Sequence, residues 1–284
     1  MMYELINRVA VLLGALLMVI VGRNRFYHLA QSRRGLMGRI ASAFCNGHAG
    51  RVAQNYAIFV ENKDKARISN IALKYYSDDS LHGFGDIDYG KRADNKPLLQ
   101  QQRGLIVPLV EKQIADLKPK TVLELGTGNG DILAHLAQEH PLIQFIGADL
   151  SVASALKKHS LPNLRFIQGY ALDLLNQGEI AGDIVFGSST FCVFAPLELE
   201  AYLAAMPNTK GIAISEPVTF GNAHTDDPKP ESRHMDLYMW WHNYYAYLLK
   251  HEFKVDDYRT VPFSYSHSPN CSVVLISGHR QIKE

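Results

Sequence analysis

The chain has 284 residues, 47% of them hydrophobic, and a formal net charge of +1. That length holds one α/β domain with additional elements, and the near-neutral balance lacks the basic surplus of a chain that grips a nucleic-acid backbone, so no nucleic-acid partner is expected. Three widely separated cysteines, Cys45, Cys192 and Cys271, form neither a disulfide framework nor a zinc-ligand spacing.

The first feature along the chain is the apolar run Val9 to Gly22. As a helix it covers about 21 Å, against a hydrocarbon core of roughly 30 Å, and Leu5 and Ile6 extend it if Arg8 turns outward. It reads as a cleaved signal, a buried core helix or a membrane anchor. No small-residue cleavage site follows the run, which weakens the first reading. Arg23, Arg25, Arg33, Arg34 and Arg39 follow it while only Arg8 and the terminal amine precede it. This asymmetry favours a single-pass or monotopic anchor with the remainder of the chain in the cytoplasm. Residues 1–30 are therefore taken as the anchor and 31–97 as a helical and loop extension. Within the extension, Leu36 to Cys45, Val52 to Val60 and Lys65 to Tyr76 read as short helices. Ser77 to Pro97, rich in Asp and Gly, reads as loop. Leu98 to Leu117 reads as one helix.

Thr121 to Asp149 is the most informative stretch. Val122, Leu123 and Leu125 make a short apolar strand, and Gly126, Gly128 and Gly130 follow at alternate positions. Ile132 to Glu139 has helical character, and Phe145 to Ala148 is a second strand closed by Asp149. Glycines permit positive φ and close approach of a ligand to the backbone, a helix N-terminus offers free N–H groups, and an acid at the end of the second strand can accept from both ribose hydroxyls. A dinucleotide fingerprint requires G-x-G-x-x-G, which would put the third glycine at Asp131. The pattern is instead Glu-x-Gly-x-Gly-x-Gly, beginning at Glu124.

That pattern resembles motif I of the class I S-adenosylmethionine-dependent methyltransferases. The resemblance covers roughly Leu98 to Arg280 and implies an α/β fold: a Rossmann-like, seven-stranded, mostly parallel sheet with an antiparallel final strand, in a catalytic domain spanning 98–284. It implies S-adenosyl-L-methionine as cofactor, with Glu124 directed at the methionine amino end, Gly126, Thr127, Gly128 and Gly130 around sugar and amino acid, and Asp149 on the ribose with Leu150 beside it. It also implies that the segment before the motif folds over the cofactor, which makes Tyr75, Tyr76 or Tyr89 part of a lid.

Further elements follow in the order the resemblance implies. Ser151 to His159 reads as a helix capped by Ser151, and Leu164 to Gln168 as the third strand. The family places an acid directly after the next glycine, facing the adenine. Here that residue is Tyr170, followed by Ala171, so the contact falls to the tyrosine ring, the local main chain or Asp173. Asp183 to Ser188 is the fourth strand and its exit, which the resemblance puts beside the transferable methyl group, so Ser188, Ser189 and Thr190 are expected to border the active site. Leu197 to Ala205 reads as a helix, Gly211 to Ser215 as the fifth strand with Glu216 at its end, and His234 to His251 as an aromatic helix. Phe253 to Pro262 and Cys271 to Gly278 form the closing hairpin.

A hydroxyl acceptor requires a base. His242 and His234, eight residues apart and therefore on one broad side of a helix, are the first candidates, and Glu216 is the next. A metal set of His224, Asp226, His234 and His242 lacks a diagnostic spacing, so no metal is expected. The expected function is methylation, on oxygen, of a small-molecule, sugar or lipid-linked acceptor by a membrane-tethered enzyme. A small-amine N-methyltransferase and a non-catalytic cofactor-binding subunit are the alternatives.

Overall fold

The computed structural model describes residues 98–100, 102–218, 231–236, 239–265 and 268–280. The anchor and extension expected over 1–97 lie outside the described residues, as do His224 and Asp226. Among the described residues no helix is long and apolar enough to cross a membrane. The chain divides into two compact units. The first, Met1–Ile68 with Met235–Met239, falls almost wholly outside the described residues, and the second, Ser69–His234 with Trp240–Glu284, contains the main sheet.

Strands β1 (Thr121–Leu125), β2 (Gln144–Asp149), β3 (Leu164–Gln168), β4 (Ile184–Ser188) and β5 (Gly211–Val218) join β8 (Phe253–Tyr265) and β9 (Ser268–Arg280) in a seven-stranded sheet. The order is β3-β2-β1-β4-β5-β9-β8. β1 to β5 are mutually parallel where they pair, and β9 runs antiparallel to β5 and to β8. Ser232–Asp236 (β6) and Met239–His242 (β7) pair as a separate two-stranded sheet. The helices are α1 (Val107–Leu117), α2 (Asp131–Glu139), α3 (Ala153–Lys158), α4 (Ala171–Asn176), α5 (Pro196–Ala204) and α6 (Tyr244–Lys250).

Central parallel strands are covered on both faces, which requires continuous rather than alternating apolar sequence. Val122, Leu123, Leu125, Ile184, Val185 and Phe186 meet this condition and are fully buried. α1 turns Val107, Val110 and Ile114, one turn apart, into the same core as Leu133 and Leu136 of α2. The strand order reverses between β1 and β4, so the carboxyl ends of those strands open a crevice where ligands of such sheets bind.

Several elements differ from the sequence reading. The helix expected from Leu98 begins only at Val107, preceded by 3-10 turns at Leu98–Gln100 and Gln102–Ile106. Pro108 has no N–H and fits only the first turn of a helix. Ser151 does not cap α3, which starts at Ala153 after Val152. In the aromatic helix expected over 234–251, residues 234–236 and 239–242 are strand instead. Only Tyr244–Lys250 is helical, opened by Asn243, whose side chain accepts from the Ala246 N–H. The closing strands are longer than expected, 13 residues each.

Gln113 joins α1 to the sheet. Its buried amide donates to the carbonyls of Ile212 and Gly278, both at 2.9 Å, and its oxygen lies where a β-carbon on Gly211 would crowd it. Gln113→Met keeps the volume and removes both donors. It is expected to lower the unfolding free energy by about 1–3 kcal/mol, measured by urea denaturation, and an unchanged midpoint would count against this role.

Candidate active site

The glycine turn leaves β1 with three consecutive alternate residues in the left-handed region: Gly126 at φ +69°, Gly128 at +54° and Gly130 at +75°. Their surroundings differ. A β-carbon on Gly126 would lie 2.2 Å from Thr190 Oγ1, and one on Gly130 would lie 2.6 Å from the Phe166 ring. A β-carbon on Gly128 would meet no atom of the described residues within 4 Å. The two outer glycines are thus walled by protein, and the middle one faces open space where a ligand can approach the main chain.

Two acids frame this turn. Asp149 Oδ2 accepts from the Gly128 N–H at 2.7 Å, so the carboxylate at the end of β2 is held across the turn. Glu124 is 2% exposed and accepts from the Thr127 hydroxyl at 2.7 Å. Burial pushes its carboxyl up to about 8, against the Thr127 hydrogen bond and with the nearby Asp149 charge in support. A cationic group brought against Glu124 would favour its ionised form.

The N-terminus of α2 is occupied by the protein itself. Asp131 receives Arg103 at 2.7 Å, Lys158 at 2.6 Å and the His159 ring at 3.0 Å. Burial pushes its carboxyl up, but Lys158, Arg103 and His159 outweigh burial and hold it below the usual carboxylate range. Arg103 also donates to Asn129 in the turn at 2.8 Å. An anion-binding helix end of the dinucleotide kind is therefore closed by a carboxylate.

Tyr170 stands at the start of α4, where its hydroxyl donates to Glu198 of α5. Its ring meets Tyr202 edge-on at 6.1 Å. Burial, reinforced by Glu198, pushes the phenol up and keeps it a donor. Ala171 beside it is buried, and Leu150, after Asp149, is half-buried.

On the other side of the crevice, Ser188 ends β4 in register with Ser215 of β5. Ser189 then takes φ +57°, unusual for a residue with a β-carbon, and turns the chain so that Thr190 reaches Gly126. Glu216, 1% exposed, holds this turn: its Oε1 accepts from the N–H groups of Thr190 at 2.9 Å and Phe191 at 2.7 Å. Burial pushes its carboxyl up to about 7, while the Cys192 thiol and the N–H groups of Thr190, Phe191 and Cys192 oppose the rise.

His242 is placed differently from the sequence expectation. It lies on β7, not on a helix. Nε2 donates to the Phe194 carbonyl at 3.0 Å. Nδ1 then accepts from the Ser232 hydroxyl at 2.7 Å, which in turn lies 2.8 Å from the Tyr247 hydroxyl. Burial pushes the ring down to about 3. With both nitrogens engaged, the neutral ring has no free lone pair for an incoming proton, so its local role is to fix the chain after Phe191–Val193. His234 lies on β6, and its side chain is outside the described residues.

The structure thus joins Glu124, Thr127, Gly128 and Asp149 by direct hydrogen bonds, and joins Glu216 to the same turn through Thr190. The sequence reading placed Thr190 at the border of the site but missed its contact with Gly126, and it missed Arg103 and the role of Asp131. Their partners lie too far away in the chain for any local pattern to show them. Among the described residues, no cluster of His, Cys, Asp and Glu suits a metal ion.

Glu124 titrates with folding. Its carboxyl is raised from an ordinary 4.5 to about 8, so the folded chain binds the proton more tightly than the unfolded chain. That stability is complete below the ordinary value and is lost as pH rises through the folded one; Glu216 has the same sign. The Tm of the ligand-free chain is expected to fall between pH about 5 and about 8, and to fall less in Glu124→Gln. Equal falls in a thermal melt series would contradict the assignment.

Comparison with known proteins agrees with this arrangement. Residues 122–209 match a family described as methyltransferase domain. A tRNA (guanine-N(7)-)-methyltransferase of Thermotoga maritima is 37% identical over 67 residues, covering 22% of this chain and 21% of that protein. This chain therefore spans about a fifth of that relative. The solved 1,6-didemethyltoxoflavin-N1-methyltransferase of Burkholderia thailandensis, with S-adenosylhomocysteine bound, aligns with a TM-score of 0.50 at 16% identity, covering 76% of this chain and 89% of that one. The N-methyltransferase NodS of Bradyrhizobium japonicum, also in complex with S-adenosylhomocysteine, aligns with a TM-score of 0.50 at 10% identity, covering 73% and 100%. At these identities the solved structures establish the fold. The domain match falls on the glycine turn and its two acids, so residues 122–209 are similar to a methyltransferase domain, and the two aligned structures share its fold.

Proposed function

We propose that this chain methylates an oxygen of a small-molecule, sugar or lipid-linked acceptor, with residues 1–30 tethering it to a membrane and the catalytic domain on the cytoplasmic side. The observation that carries the methyl-transfer reading is the hydrogen-bonded unit of Glu124, Thr127, Gly128 and Asp149 around a glycine with open space beside it. Asp149 would hold the ribose hydroxyls, Glu124 the methionine amino end, and Leu150, Tyr170 and Ala171 the adenine. Ser188 stands at the acceptor side. When bound, the cofactor supplies a methyl group on a sulfonium, already a good leaving group. The work left to the protein is to orient the acceptor, exclude water and receive a proton. The tether rests on the apolar run Val9 to Gly22 and the arginines that follow it.

The similarity to tRNA (guanine-N(7)-)-methyltransferases favours a second reading, transfer to a nucleobase nitrogen. A net charge of +1 weighs against it, because tRNA binding draws on phosphate neutralisation by Lys and Arg.

Calorimetric titration of S-adenosylhomocysteine into the full chain tests the cofactor site. Wild type is expected to bind at micromolar concentration. Asp149→Ala is expected to weaken binding about tenfold or more, the equivalent of losing a charge-assisted hydrogen bond of roughly 1.5–3 kcal/mol. A folded wild-type chain that does not bind would overturn the reading. Tight, salt-sensitive binding of tRNA would favour the second reading over the first.

A further inference from the structure

Two buried polar atoms beside the glycine turn are not used by the fold. Glu216 spends one carboxylate oxygen on the Thr190 and Phe191 N–H groups and has the Cys192 thiol against its carboxyl, while Oε2 is buried with no hydrogen-bond partner among the described residues. The Tyr244 hydroxyl, at the start of α6, is likewise buried and unpartnered. Glu216 and Tyr244 are close enough for the carboxylate charge to act on the phenol, and the Cys192 thiol lies near enough to Tyr244 to act on it too, while Glu216 acts on the thiol. Leaving a carboxylate oxygen and a phenol buried without partners costs free energy. Each retains one unused hydrogen-bonding capacity, one as acceptor and one as donor. Glu216 accepts from the N–H of Thr190, whose side chain walls Gly126.

Resting on the methyl-transfer reading above, we propose that Glu216 Oε2 and the Tyr244 hydroxyl form the acceptor subsite, with Glu216 as general base and Tyr244 as donor to the acceptor atom, and that the acceptor atom is the oxygen of an alcohol or phenol. The choice of oxygen follows from lone pairs. A hydroxyl oxygen has two, so one attacks the methyl carbon while the other accepts from Tyr244, and its proton goes to Glu216. A neutral amine has one lone pair and cannot attack while accepting from Tyr244. The step balances: an oxygen–carbon bond forms, the carbon–sulfur bond breaks with its electron pair left on sulfur, and the hydroxyl proton ends on Oε2. Anchored through Oε1, the carboxylate needs no rearrangement to receive it.

The titratable groups facing Glu216 are Cys192 from the turn after β4 and Tyr244 from α6, with Tyr258 and Tyr247 next to Tyr244. Burial pushes both the Cys192 thiol and the Tyr244 phenol well up, so the carboxyl ionises before either.

The test uses the full chain, tritiated-methyl S-adenosylmethionine, and three probes of similar skeleton: phenol, benzyl alcohol and benzylamine. Methyl transfer is expected to a hydroxyl probe, with kcat/KM rising to a plateau above pH about 7. Glu216→Gln is expected to lower kcat by about 100-fold or more and to abolish the rising limb, with S-adenosylhomocysteine affinity within about twofold of wild type. Independently of turnover, infrared difference spectra of the S-adenosylhomocysteine complex are expected to show a protonated-carboxyl band that titrates near pH 7, is missing from Glu216→Gln and shifts on addition of phenol. Should Glu216→Gln fail to fold, Tyr244→Phe decides: a loss of about tenfold or more in kcat/KM for the hydroxyl probe, with unchanged cofactor affinity, supports the subsite. An unchanged pH profile in Glu216→Gln, an unaffected Tyr244→Phe, transfer to benzylamine alone, or no hydroxyl transfer by a wild type that binds S-adenosylhomocysteine each overturns the proposal while leaving the cofactor site standing. Failure of the wild type to bind S-adenosylhomocysteine overturns the methyl-transfer reading itself.

Discussion

The contact between Thr190 and Gly126 sets the spacing of the whole crevice. Thr190 Oγ1 sits 2.2 Å from where a β-carbon on Gly126 would be, so the chain leaving β4 is pressed against the turn leaving β1 and any side chain there would separate them. Ser189 takes an unfavourable backbone conformation to make the approach, and Glu216 clamps the two N–H groups that follow. Strain at one residue is thereby held in place by a buried carboxylate. Glu216 thereby ties the end of β5 to the turn that leaves β1.

Buried acids then determine how the crevice is charged. Glu124, Asp131 and Glu216 each lose water, yet they end in different states. Asp131 has three basic neighbours and stays ionised. Glu124 is held by the Thr127 hydroxyl, and burial outweighs both that hydrogen bond and the nearby Arg103 charge. Glu216 has backbone donors on one oxygen only and falls between them. One kind of side chain thus serves as a structural tie, a partner for a cationic group and a proton acceptor, according to its donors.

What was legible in the sequence was what is contiguous. The strand, glycine turn, helix and second strand from Thr121 to Asp149 are made by neighbours, so spacing alone specified them, and the buried strands announced themselves as unbroken apolar runs. Residues 234–236 and 239–242 were misread because aromatic runs satisfy helix and strand alike, and β-sheet pairing decided the matter for Trp240, Trp241 and His242. Asn243 was the one local sign of the boundary, as a side chain suited to capping. The inertness of His242 was invisible, since it depends on Phe194 and Ser232, 48 and 10 residues away. Glu216 was readable as an acid at a strand end. That one of its oxygens is occupied and the other idle belongs to the tertiary structure.

The closing hairpin has a consequence beyond the crevice. Among the described residues β8 ends the sheet, presenting 13 residues with no further strand beside them. Lys254, Asp256 and Arg259 are exposed along it, Pro262 removes an N–H, and the register shifts between Val255 and Asp257 and again between Phe263 and Tyr265. Charge, a missing donor and irregular pairing each discourage a foreign strand from docking. A long edge that would otherwise template chain-to-chain aggregation is thereby protected, and the protein can carry an extended hairpin without polymerising through it.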